Sequence, residues 1–149
     1  MRNTVRYCFI VWMIITGIHC TGASLGAQDP KEAPNSEKQN LEDTWGVKIL
    51  SIRLTAGGYM LDFRYRVTDA EKAAPLFSRK KNPYLIDQAT GAKFIVPSSP
   101  KVGALRQTRP PVADRNYFII FGNPAKYVKK GKSVTVVIGD FKATDLIVE

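Results

Sequence analysis

Between Tyr59 and Val67 the chain alternates with period two. Tyr59, Leu61, Phe63, Tyr65 and Val67 are apolar, and Met60, Asp62, Arg64 and Arg66 stand between them. A helix would spread those charges around its circumference, whereas a strand sorts them onto one face and the apolar set onto the other. The segment is therefore predicted to be a half-buried strand. Val47 to Thr55 reads as its partner and Ala56-Gly57-Gly58 as the turn. This hairpin sets the fold class as β.

The rest of the chain continues in the same manner. Asp69 is a suitable N-cap, Glu71 suits a first turn, and Pro75 is predicted to end one or two helical turns. Pro83 to Asp87 and Ala92 to Val96 flank Gln88-Ala89-Thr90-Gly91 as a second hairpin. Lys101 to Leu105 reads as a short strand and Arg106 to Arg115 as an exposed loop around Pro110-Pro111. The apolar run Tyr117 to Phe121 is predicted to be a strand covered on both faces. Ser133 to Phe141 is the next strand, with Val134, Val136 and Ile138 on one face, and Asp145 to Glu149 a last short one. Seven or eight strands with one short helical turn exclude parallel β-α-β units. The pattern implies an all-β, antiparallel two-sheet sandwich of the immunoglobulin-like type, with a small barrel as the alternative.

The N-terminus carries a different message. Arg2 and Arg6 precede a nearly unbroken apolar run from Tyr7 to Ile18, and small residues follow to Ala27. That order is read by signal peptidase, so residues 1–27 are expected to be a signal peptide cut after Ala27. Spanning a bilayer takes about 20 apolar residues, and this run is shorter. Cys20 offers an alternative, a lipid-bearing cysteine, although His19 before it fits that signal poorly. Residues 28–44, polar and acidic with two prolines, read as a flexible linker, and residues 45–149 as one basic β domain.

Cleavage after Ala27 strips the chain of useful chemistry. Both cysteines, Cys8 and Cys20, and the only histidine, His19, lie before it. The mature chain then has no disulfide, no Cys/His zinc site and no catalytic histidine. No cofactor or metal is expected. From Thr44 to Glu149 there are eighteen Lys and Arg against eight Asp and Glu, a net of +10. Outside the cytoplasm such a surface favours an anionic envelope component or an acidic protein face. Nucleic acid matches the charge and not the compartment.

Four segments carry a resemblance: Tyr59 to Val67, Glu71 to Leu76, Lys101 to Arg106 and Val134 to Phe141. Together they resemble those of a group of short, uncharacterised exported bacterial proteins. The resemblance implies a bacterial source and export, and it carries over no site.

Candidate site residues are weighed against plain structural roles. Arg79, Lys80, Lys81, Arg106 and Arg109 are the densest basic loop clusters and the best candidates for contacting an anion. Asp62, Arg64 and Arg66 read as a solvated strand face, paired across strands with Lys48 or Asp140. Asp87, Asp114, Asp140 and Asp145 lack the spacing of a calcium loop, and Asp114 and Asp145 suit turns. Tyr117, Phe118 and Phe121 read as core. The expected function is a non-enzymatic extracytoplasmic module, periplasmic or secreted, that binds a protein or an anionic envelope component. The alternatives are a small carboxylate-dependent polysaccharide hydrolase or lyase, and a structural subunit completed by strand exchange.

The export reading has a direct check. Mass spectrometry of the mature protein is expected to find a free N-terminus near Gln28, and a diacylglycerol-sized addition on Cys20 would contradict it.

Overall fold

The first hairpin forms as its pattern dictates. The structure, a computed structural model, describes residues 40–149. β1 (Val47–Thr55) and β2 (Met60–Val67) pair antiparallel, with Val47 opposite Val67 and Thr55 opposite Met60. Leu61, Phe63, Tyr65 and Val67 are buried, while Arg64 and Arg66 face solvent. Tyr59 departs from the expected inward set. The 3-10 turn Ala56–Gly58 is capped at Tyr59, so the strand begins one residue later and the ring lies 56% exposed, with Lys126 Nζ 4.8 Å from its centroid.

β2 also pairs with β7 (Arg115–Gly122), completing a three-stranded sheet in the order β1-β2-β7. The second hairpin, β3 (Tyr84–Asp87) and β4 (Lys93–Ile95), joins β8 (Ser133–Ile138) and β9 (Phe141–Ile147) in a four-stranded sheet, β4-β3-β8-β9. β5 (Ser98–Ser99) and β6 (Gly103–Ala104) form a small ribbon. All the strand pairings are antiparallel. Three strands on four in this order make an immunoglobulin-like sandwich whose fourth strand lies in the larger sheet. Both sheets feed one core, in which Phe63, Phe121, Leu85, Ile138 and Phe141 are fully buried.

Several boundaries differ from the sequence reading. Ser133 to Phe141 is not one strand: Gly139, at φ +62°, and Asp140 turn the chain, and Phe141 opens β9 opposite Ile138. The last strand therefore starts at Phe141 rather than Asp145. Asp145 sits at φ +52° beside a register shift between Val134 and Val136, a β-bulge rather than a turn between strands. The run Tyr117 to Phe121 is covered on one face only. Tyr117, Ile119 and Phe121 are buried, while Phe118 and Ile120 are half-buried opposite Arg64 and Asp62.

The helical parts are also longer than expected. Residues 40–45 form a helix, α1, which takes in 40–44 from the stretch read as linker. Leu41 and Trp45 pack against the core, and the Trp45 ring meets Phe141 edge-on at 5.8 Å. Gly46 ends α1 at φ +60°, its N–H donating to Glu42 O at 2.9 Å. A Cβ at Gly46 would stand 2.6 Å from Asp69 Cβ, so only glycine fits. Asp69 caps α2 (Ala70–Ala73), accepting from the Glu71 and Lys72 N–H groups at 3.0 and 3.2 Å. Pro75 does not end the chain's coiling. It stands near the start of a 3-10 turn, Ala74–Phe77, where a missing N–H does no harm, and Leu76 and Phe77 are buried there.

Residues 1–39, with the signal-peptide reading, Cys20 and the rest of the linker, lie outside the described residues. Among the described residues no helix is long and apolar enough to cross a membrane.

The polar centre of the fold is Asn123, fully buried after β7. Its amide donates to Gly58 O at 2.9 Å and Val128 O at 2.8 Å, and its Oδ1 accepts from Val128 N–H at 2.9 Å. Asn123→Ala orphans those three backbone groups. Urea denaturation is expected to show a loss of about 2–4 kcal/mol, against under about 0.5 kcal/mol for the exposed Asn116→Ala.

Candidate functional site

The connection from β4 to β7 crosses from the larger sheet to the smaller one along one side of the sandwich. Leu105 N–H donates to Pro97 O at 3.0 Å, and Ile120 N–H donates to Leu105 O at 2.9 Å. Arg106 forms a bridge with Ile119, and Gln107 Oε1 accepts from Phe118 N–H at 3.2 Å. Residues 97–107 thus form a strap on the free edge of β7. On the opposite side the C-terminal residue covers part of β1: Leu54 N–H donates to Glu149 O at 3.2 Å, and Glu149 N–H to Ile52 O at 2.9 Å.

The strap holds Arg106 at the rim of the core, near an aromatic cluster. Phe77 meets Tyr117 edge-on at 4.8 Å, and Tyr65 stacks on Tyr117 at 6.0 Å. Tyr117 OH accepts from Val112 N–H at 2.8 Å and so anchors the loop after the strap. Arg106 Nη2 donates to Ser78 O at 2.7 Å, while Nη1 is buried with no hydrogen-bond partner in the protein. Burial lowers the Arg106 pKa from its ordinary value, with the Tyr65 phenol acting against the shift. Burial likewise raises the Tyr65 phenol, opposed by the Arg106 charge. Arg106 is thus a half-buried cation that also lines the clefts beside it.

Three clefts meet at Arg106. One, of about 550 Å³, runs between Pro83, Tyr84, Ile95, Val96 and Ala104, with Lys93 at its side. A second, of about 420 Å³, includes Arg79, Val102 and Thr108. A third, of about 390 Å³, is lined by Arg79, Arg109, Arg115, Gln107 and Tyr117 besides Arg106. Four arginines thus line one cleft that no acidic residue lines. Among the described residues none of the four takes part in an ion pair.

Of the five predicted anion contacts, Arg79, Arg106 and Arg109 come together. Lys80 lies exposed in the turn beyond and lines none of these clefts. Lys81 is paired with Asp140 at 3.3 Å and lies against Gly139. Arg115 was not anticipated. It opens β7, and the Pro110-Pro111 loop turns it back beside Arg109. Its only signal in the sequence is that it closes the loop that Arg109-Pro110-Pro111 opens.

The acidic residues are engaged elsewhere. Asp62 pairs with Arg64 at 2.8 Å and Arg66 with Asp114 at 3.2 Å, so this face is neutralised locally. The expected partners are not the ones found: Lys48 stands opposite Arg66 in the ladder, and Asp140 serves Lys81. Asp87 is buried and accepts from Thr90 Oγ1 at 2.6 Å within its hairpin turn. Asp114 holds φ +59° in the turn before β7. Among the described residues no group of His, Cys, Asp and Glu has the arrangement to hold a metal ion. Phe121 is core, and Tyr117 is both core and cleft wall.

No protein-family model, curated protein or solved structure matches the chain.

Proposed function

We propose that the chain is an exported, non-enzymatic binding module that holds the anionic group of an envelope component in the arginine pocket. The observation that carries this reading is the convergence of Arg79, Arg106, Arg109 and Arg115 on one cleft without an acid among its lining residues. Planar guanidinium forks match carboxylate and phosphate oxygens bidentately, which scattered surface lysines do not. The net positive charge of the domain draws anions in at long range, and the cleft selects at short range.

Cleft volumes of about 390 to 550 Å³ suit a small headgroup better than a flat protein face, which favours an envelope component over a protein partner. Carboxylate-dependent hydrolysis needs two acidic side chains in one cleft, and none of the three clefts is lined by one. Export is supported by the N-terminal sequence pattern and by the resemblance described above.

The test separates the pocket from bulk charge. Replacing Arg79, Arg109 and Arg115 by Gln together with Arg106 removes four charges, and so does replacing the exposed Lys129, Lys130, Lys132 and Lys142. At about 150 mM salt, the arginine variant is expected to lose at least tenfold in affinity for phosphate-bearing envelope polymer, and the lysine variant less than threefold. Equal losses would overturn the reading.

A further inference from the structure

Arg106 divides two unlike clefts. On one side lie the other three arginines; on the other lies the larger trough, whose walls are Pro83, Tyr84, Ile95, Val96 and Ala104. Ile95 is 71% exposed although it belongs to β4, an edge strand of the larger sheet. Val102, near the strap's tip, is 74% exposed and lines the second cleft, which joins the other two. A largely apolar trough with exposed aliphatic side chains, ending at the Arg106 side chain that also lines the arginine cleft, is complementary to a molecule with one apolar and one anionic end.

We infer that the ligand is a single-tailed anionic amphiphile. Its headgroup lies among Arg79, Arg106, Arg109 and Arg115, and its hydrocarbon tail lies in the trough along β4. This rests on the anion-pocket reading and adds the tail to it. One tail is assigned because the trough is a single cleft of about 550 Å³, within the range of pockets that hold one small molecule. Lys93 Nζ lies over the Tyr84 ring, 5.4 Å from its centroid, a cation-π contact at the side of the trough.

The experiment is calorimetric titration of the mature chain with three probes: inorganic phosphate, decyl phosphate below its micellar concentration, and decyl maltoside. Each buried methylene strengthens binding about fourfold, so decyl phosphate is expected to bind at least tenfold more tightly than inorganic phosphate. Decyl maltoside, with the same tail and no charge, is expected to bind more weakly than decyl phosphate by at least tenfold. Ile95→Asn, and Ala104→Phe as an independent way of closing the trough, are expected to abolish the gain from the tail and leave inorganic phosphate unaffected. Equal affinity for the two phosphates, or a tail gain that survives both trough variants, overturns the inference and leaves the anion pocket standing. Decyl maltoside binding as tightly as decyl phosphate also overturns it. Failure of both phosphates to bind overturns the inference and the pocket together.

Discussion

Strand β7 is an edge, and the backbone groups on its outer side must find partners. An open edge of eight residues rich in aromatics and isoleucine would pair with any other chain it met. The chain meets this demand with the connection that has to pass that way in any case. Running from β4 back to β7, residues 97–107 donate and accept along the edge through Leu105, Arg106 and Gln107. The strap joins the edges of the two sheets on this side. Opposite, Glu149 does the same more briefly against Ile52 and Leu54.

The position of Arg106 follows from that closure. Once residue 106 bridges Ile119, its side chain is delivered to the gap between the sheets, against Ser78 O and beside Tyr65 and Tyr117. A guanidinium there loses hydration, and its Nη1 finds no acceptor in the protein. A charged group held in that state is destabilising unless something else satisfies it. Arg79 and Arg109 come from the two loops that flank it, and Arg115 from the first residue of β7. The carboxylates that would neutralise them are committed to Arg64, Arg66 and Lys81, or to turns and a helix cap. Four arginines therefore line one cleft, and no acid is among its lining residues.

Local pattern was legible where one face is buried and the other wet. The alternation from Leu61 to Val67, the Asp69 cap and the hairpin around Gln88 to Gly91 follow from short-range chemistry, and the structure has them. Uniformly apolar runs were harder. Val134 to Phe141 has no alternation to mark the turn at Gly139, because both β8 faces are buried, so two strands read as one. The α1 helix was hidden by its polar surroundings, although Leu41 and Trp45 at helical spacing before Gly46 are its signature. Arg79, Arg106 and Arg109 were visible as basic loops. That they share a cleft with Arg115 while Lys80 and Lys81 do not depends on tertiary placement of residues as far apart as Arg79 and Arg115. No window of sequence contains that information.

The most direct measurement is a titration of the protein with phosphate, followed through the guanidinium Nε–H resonances of its arginines by nuclear magnetic resonance. Arg79, Arg106, Arg109 and Arg115 are predicted to shift together along one saturable curve, Arg106 the most because its environment is the driest. Arg64 and Arg66, already paired with Asp62 and Asp114, are predicted to stay in place. Small, unsaturated shifts spread evenly over all exposed arginines would contradict the account.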